Sequence, residues 1–376
     1  MKQCSTLAAN SGISQVVIAA LWEDDLPPEE NLVSGVVVRR LRLRSRNWGR
    51  SLPIQLIKYL EFLIRVLLLA FRLRVSAISC HALALLPLGA TVKLLTRARL
   101  IYDAHELETE RAGLHGLRKR LSQIVERRLI PYCDHTFVVS ESIHNDYVAR
   151  YGLSRISTVM NCPHRLEHRP VSSRFRDIFS IPDSDVIFLY QGLLDEGRGL
   201  RLMLDAFKLL QARSNTAHLH LVIMGYGPMK EEIEQMAAHV PCIHLHPGVA
   251  PDQVLDYTAS ADIGLSLIEP ISLSYAYSLP NKLFEYLACG LHVLCADLPE
   301  IRRHADNLNI TLLPKLSAEA LAGYCIVLSK GNKANTSPLP KQYSWEYQGE
   351  VMMQAYRTCL TDLATLTVSE ERASDA

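Results

Sequence analysis

Short apolar runs of four to eight residues alternate with stretches of helical spacing along the whole chain, the pattern of β-α units built around parallel sheets. A first series predicts strands at 14–20, 35–41, 75–80, 98–103, 135–140 and 157–160. A second predicts them at 186–191, 218–224, 242–246, 263–268, 292–296 and 309–313. Between the two lies 162–184, rich in Pro, Ser and charge and poor in periodicity, which reads as a linker. From 345 to 367, Met352, Tyr356, Leu360 and Leu363 recur at helical spacing, so a closing helix precedes the polar tail SEERASDA. The expected organisation is α/β, with one Rossmann-like domain at 1–164, a second at 165–344, and a segment at 345–376 whose helix crosses back to the first.

Length agrees with that division, since 376 residues hold two domains at roughly 150 residues each. With 48% hydrophobic and 21% charged residues the composition is globular and excludes a disordered or fibrous chain. The nine cysteines are scattered singly with no C-x-x-C, which fits neither a disulfide framework nor a zinc site and predicts a reducing cytoplasm. The longest uncharged stretch, 75–92, is interrupted by His81, Pro87 and Gly89, a poor bilayer span.

Charge changes the picture locally. The net charge of +1 points to no nucleic-acid partner. From Val37 to Arg74, however, ten basic residues face the single acid Glu61, a local +9. Arg40, Arg42, Arg44 and Arg46 stand at period two and share one face if the segment is extended. The helix predicted over 53–74 places Gln55, Lys58, Glu61, Arg65 and Arg72 on a polar stripe and is apolar over most of its girth. Two readings follow: a helix covering a sheet with its polar edge in solvent, or a surface resting on an anionic membrane.

The most informative stretch is 261–302. A strand at 263–268 leads into a loop, and a short helix opens near Asn281 and stops at Gly290. In open α/β sheets ligands bind at the carboxyl ends of strands, where a helix N-terminus attracts phosphate. Lys282 adds a full charge there, and Glu285, one turn on, can accept hydrogen bonds from ribose hydroxyls. Gly225-x-Gly227 reads as a turn, His244 and His246 as a core or edge pair, and Ser140 lacks the glycines of a nucleophile elbow.

SLPNKLFEYLACGL (278–291), flanked by ADIGL (261–265), resembles the donor-site segment of the family-4 retaining glycosyltransferases of the GT-B fold. YQGLLDEGRGL (190–200), LVIMGYGP (221–228), IYDAHELETER (101–111), VVSESI (138–143), MNCP (160–163) and YSWEYQ (343–348) resemble further segments of that family in the same order. The resemblance implies two Rossmann-like domains and transfer of a sugar from a nucleoside-diphosphate donor to a glycan or lipid-linked acceptor, with retention and without metal or other cofactor. It also implies site residues. Arg198 and Lys282 would neutralise the departing diphosphate, Gly192 would let the backbone approach the donor, and Asn281 and Glu285 would complete the nucleotide contacts. His105 would face the donor sugar from the opposite domain, with Asp103 and Glu106 as its partners.

A place in polysaccharide biosynthesis follows, cytoplasmic and with the basic segment at the inner membrane face. A sugar-nucleotide epimerase on the same fold is the neighbouring alternative, and a non-catalytic binding subunit is the alternative from another class. The chain departs from the family at Tyr277, where many members carry a first glutamate, at Ala82, where an aspartate is common, and at His292, where proline is usual. The opening strand and glycine loop of the N-terminal domain are expected to be missing, with 1–12 reading as the end of the helix that follows them.

Overall fold

The computed structural model describes residues 1–33, 35–49, 51–213, 215–331 and 338–374, with the backbone alone for Val33 and 362–374. Arg50, the Leu363 side chain and the end of the polar tail therefore lie outside the described residues.

The first half runs α1 (Lys2–Ala8), β1 (Val16–Leu21), β2 (Glu29–Val33), β3 (Val36–Leu41), α2 (Leu52–Leu73), β4 (Ala77–Cys80), α3 (Leu86–Thr96), β5 (Arg99–Ala104), α4 (Gly116–Leu129), β6 (His135–Val138), α5 (Glu141–Tyr151) and β7 (Ile156–Thr158). Its strands form two sheets rather than one. β1-β3-β2 is a three-stranded sheet, parallel between β1 and β3 and antiparallel between β3 and β2, and β4-β5-β6-β7 is fully parallel. β2 was not foreseen. Its Glu29-Glu30-Asn31 is too polar for an apolar run, and it pairs on an edge where Glu29 and Glu30 meet Arg39 and Arg40 of β3.

The second half runs α6 (Arg174–Phe179), β8 (Val186–Leu193), α7 (Leu200–Gln211), β9 (Leu219–Tyr226), α8 (Lys230–His239), β10 (Ile243–Pro247), α9 (Val254–Thr258), β11 (Ile263–Ser266), α10 (Leu273–Ala276), α11 (Asn281–Ala288), β12 (His292–Ala296), α12 (Pro299–Ala305), β13 (Ile310–Leu313) and α13 (Ala318–Ser329). Its six strands pair in parallel in the order β10-β9-β8-β11-β12-β13. Central β8 is apolar on both faces: Phe188 and Tyr190 join the core under α7, whereas Ile187 and Leu189 join the core with Phe284 and Tyr286 of α11. That is why it reads as a continuous apolar run. The expected linker also differs from its reading, because α6 lies within it and buries Phe175 completely against Phe179, Tyr257 and His246.

The closing helix α14 (Trp345–Ser374) lies against the first half. Trp345 donates from Nε1 to Thr6 Oγ1 of α1 at 2.8 Å, and Gln348 Oε1 accepts from the Met160 backbone N–H at 2.9 Å. Met352 and Tyr356 pack with Ile101 of β5 and Phe137 of β6.

Side chains tie the halves together beneath the cleft. The fully buried Glu300 of α12 accepts from the backbone N–H groups of Glu141 (3.1 Å) and Ser142 (2.8 Å) and from Ser142 Oγ (2.6 Å), so a carboxylate from one half caps a helix of the other. Burial raises the pKa of Glu300, but hydrogen bonds from His304, Ser142 and the Glu141 backbone outweigh it and hold the carboxyl below its usual range. Ser140, the side-chain cap of α5, donates to the Tyr277 carbonyl at 2.8 Å.

The basic segment is arranged otherwise than an extended arginine ladder. β3 ends at Leu41, and 44–47 is a turn. Arg40 pairs with Glu30, Arg42 stacks on Trp22 at 4.6 Å, and Arg46 reaches Glu23 at 3.4 Å, so acids outside the counted window offset part of the local charge. Glu61 of α2 turns toward that turn. It accepts from Ser45 Oγ at 2.6 Å, from the backbone N–H groups of Arg44 (2.8 Å) and Ser45 (3.0 Å), and from Arg65 at 2.8 Å, which together hold it down to about 2 despite desolvation. Lys58, Glu61 and Arg65 of the polar stripe contact protein, and α2 is apolar on two sides: Tyr59, Phe62, Leu63, Val66, Leu67 and Ala70 pack with Leu88 and Val92 of α3, whereas Leu56, Leu60, Ile64 and Leu68 are 46–63% exposed.

Candidate functional site

A cleft of about 520 Å³ opens between the halves at the carboxyl ends of β8 and β9 and the start of α11. His105, Gly192, Arg198, Asn281, Lys282 and Glu285, singled out for the site in the sequence, line it, as does Glu106, whereas Asp103 lies behind them outside the lining.

The floor is shaped by a close approach of two strand ends. Gly192 of β8 pairs with Gly225 of β9, and a Cβ on Gly225 would overlap the Gly192 carbonyl oxygen. Gly225 is therefore a packing requirement as well as part of a turn. Gly192 holds φ at +130°, a conformation closed to other residues, and its Cα faces the Lys282 ammonium.

Lys282 enters from the first turn of α11 and is only 9% exposed. Its Nζ sits 3.6 Å from the centroid of the Tyr190 ring, a cation–π contact that replaces part of the lost hydration. Burial, then the positive charge of Arg198, push the ammonium well below the usual lysine range against the pull of Glu285. Arg198 sits in the loop between β8 and α7, which Glu269 braces by accepting from the Gly199 N–H at 3.1 Å. Its guanidinium lies 4.9 Å from the Tyr275 ring centroid, and its Nε is buried with no hydrogen-bond partner. Among the described residues neither cation forms an ion pair. Two crowded, partly desolvated cations with no acid between them leave a place for an anion.

Glu285, on the same helix, accepts from Gln191 Nε2 at 2.6 Å, and Gln191 Oε1 accepts from Thr258 Oγ1 at 2.7 Å. Burial pushes the Glu285 carboxyl up against that hydrogen bond and the charges of Lys2 and Lys282. Gln191 and Thr258 were not singled out in the sequence. Gln191 is inside the quoted 190–200 segment, whereas the role of Thr258 depends on contacts no linear pattern shows. Lys2 was missed as well: it donates from Nζ to the Cys162 carbonyl at 2.7 Å and lies close enough to Glu285 to act on its charge.

His105 faces the cleft from the first half, at the end of β5. Asp103, almost fully buried, stands 3.6 Å from His105 Nδ1 and 3.1 Å from His81 Nδ1, and it accepts from Gln3 Nε2 at 2.7 Å. Glu106 also lines the cleft and meets Ser274 Oγ of the second half at 3.3 Å. His244 and His246 lie far along another edge. His244 stacks between Phe179 and His220, and His246 packs on Phe175 and Tyr257, a structural role for both.

Comparison with known proteins agrees in both halves. Residues 4–162 match the family described as glycosyltransferase family 4, and 185–330 match the family described as glycosyl transferases group 1. A curated relative, the chitobiosyldiphosphodolichol beta-mannosyltransferase of Candida albicans, is 24% identical over 229 residues, covering 56% of this chain and 49% of its own length. The chain spans about half the length of the curated relatives it matches. Sucrose-phosphate synthase from Thermosynechococcus elongatus superposes with a TM-score of 0.70 at 14% identity, over 99% of this chain and 92% of that one. The Anabaena protein HepE, solved with UDP and glucose, gives 0.64 at 13% identity, over 98% and 95%. With both halves matched in order and the whole fold shared, the chain belongs to the family-4 type of glycosyltransferases with the GT-B fold.

Proposed function

We propose that the cleft binds a nucleoside-diphosphate sugar and transfers its glycosyl group, with retention of anomeric configuration, to a glycan or lipid-linked acceptor. The observation that carries this reading is the pair Arg198 and Lys282, two cations lacking an acidic partner at the carboxyl ends of a parallel sheet. A diphosphate would satisfy both, and the same cations would stabilise it as it departs, so the transfer itself needs no metal. Glu285, held by Gln191, would accept the ribose hydroxyls, and Asn281 would lie beside the nucleotide. The floor at Gly192 and Gly225 would let the donor approach the backbone.

In the reaction the bond between the anomeric carbon and the diphosphate oxygen breaks, and a bond from the acceptor oxygen forms on the same face. The acceptor proton passes to a departing phosphate oxygen. His105, across the cleft, would hydrogen-bond the donor sugar near the reacting carbon. HepE, solved with UDP-glucose, and the Candida relative, whose name is that of a mannosyltransferase, support a nucleotide-sugar donor and leave the sugar open.

The acceptor side belongs at an anionic membrane surface, with the protein at its cytoplasmic face. An outer apolar stripe of α2, Leu56, Leu60, Ile64 and Leu68, points into solvent on a helix and turn that also expose Arg42, Arg44, Arg72 and Arg74, and no helix among the described residues is long and apolar enough to cross a membrane. Incubation of the full-length protein with a panel of nucleotide sugars and membrane-extracted acceptors, read by proton NMR, tests the reading. It predicts product with the donor's anomeric configuration and turnover that EDTA does not lower. Inverted product would remove the retaining claim, and turnover lost in EDTA would remove the metal-independent one.

A further inference from the structure

We infer that His81, Asp103 and His105 form a binding site for a single borderline divalent ion of the zinc type, on the acceptor-side wall of the cleft. The three residues each offer one ligand atom, and these atoms lie within 4.8 Å of one another. His81 Nδ1 is 3.1 Å from Asp103 Oδ2 and 3.3 Å from His105 Nε2. A tetrahedral ion bound at about 2.0–2.1 Å spaces its ligands by about 3.3–3.4 Å, so two edges of the polyhedron are already set. Rotation of the half-exposed His105 ring closes the third.

Protons serve this triangle poorly. A neutral imidazole nitrogen carries either a proton or a lone pair, never both. His81 Nδ1 faces an acceptor-only carboxylate and another ring nitrogen at once, so one proton is shared by two acceptors. An ion receiving all three lone pairs removes the conflict. The backbone fixes the arrangement: β4 and β5 are adjacent and parallel with Cys80 opposite Tyr102, which places His81 beside Asp103 and His105 at the strand ends. Gln3 donates to the same Oδ2 at 2.7 Å and so fixes the orientation of the carboxylate that faces His81. His81 and His105 are 42% and 49% exposed, which leaves a fourth position open to solvent, and His105 alone of the three lines the cleft. Two imidazoles and one carboxylate favour zinc, cobalt or nickel over magnesium.

The other histidine cluster differs in a telling way. His220 meets His244 through Nδ1 and Asp185 through Nε2, on opposite sides of its ring, so no point is shared by the three.

Occupancy would withdraw His105 Nε2 from the sugar, so the ion inhibits transfer; this consequence rests on the role proposed for His105, whereas the binding does not. The test is titration of the full-length protein with Co2+, following ligand-field absorption, with Zn2+ as competitor. The site predicts one saturable equivalent with the intense bands of a four-coordinate ion. It also predicts at least tenfold weaker binding in His81→Ala and in His105→Ala, with wild-type circular dichroism, and unchanged binding in His244→Ala. Absence of saturable absorption, or equal binding in wild type and His81→Ala, overturns the site. Binding as predicted without inhibition of transfer by Zn2+ leaves the site standing and overturns the role of His105.

Discussion

The exposed face of α2 makes a quantitative prediction about membrane contact. Leu60, Ile64 and Leu68 are 46%, 54% and 63% exposed, and they follow one another along the outer stripe of the helix. Full burial of such a side chain is worth about 1.5–3 kcal/mol, so sinking the exposed half of each into an interface contributes about 1 kcal/mol. Replacing all three with serine therefore removes about 3 kcal/mol, or about a hundredfold in partitioning. Folding changes little, because positions already in solvent contribute modestly to the core. The assay is sedimentation with vesicles containing anionic lipid at low salt, comparing wild type with the triple variant. Charge supplies the second arm, because binding through Arg42 and Arg44 weakens as salt rises. If the wild type stays in the supernatant, or the triple variant sediments as well as wild type, the membrane reading of α2 is wrong.

The clamp between the halves gives a pH-dependent prediction. Glu300→Ala leaves two backbone N–H groups at the start of α5 without their acceptor and is expected to lower stability by about 3 kcal/mol, read by denaturant unfolding. Because its carboxyl is held below the ordinary glutamate value, its contribution is complete above that value and is lost as pH falls through the lowered one. Thermal stability of the wild type should thus fall more steeply on acidification than that of Glu300→Ala. At the cleft floor, Gly225→Ala forces β8 and β9 apart at the Gly192 carbonyl, which should cost about 1–3 kcal/mol and weaken nucleotide binding along with stability. Glu61→Ala should loosen the turn at Arg44 and Ser45, seen as faster amide exchange of those two groups.

Much of the fold was legible because buried parallel strands are written as uninterrupted apolar runs. β8, β9 and β12 are such runs, and their pairing order follows from β-α alternation. β2 escaped for the opposite reason, since an edge strand paired through Glu29 and Glu30 carries no apolar signature. α2 was legible as a helix, but which face is buried was not, because Glu61 finds its partners in a turn sixteen residues away. In the site, Lys282 and Glu285 were readable because one helix supplies both, whereas Arg198 was marked only by the family resemblance of its segment 190–200. Gln191, which couples Glu285 to Thr258, and His81, which meets His105 across the β4–β5 register, depend on neighbours that only the folded sheet brings together.

The measurement that bears most directly on the central claim is calorimetric binding of a nucleoside diphosphate to the full-length protein, to Lys282→Met and to Arg198→Met, at alkaline pH in buffers of different ionisation enthalpy. Wild type should bind with proton uptake, because a diphosphate beside Lys282 restores the charge that burial and Arg198 depress. Each variant should lose roughly tenfold or more in affinity, from about 1.5–3 kcal/mol per charge-assisted contact, and Lys282→Met should lose the proton uptake as well. Absence of binding to any nucleoside diphosphate, or equal affinity in all three proteins, would contradict the account.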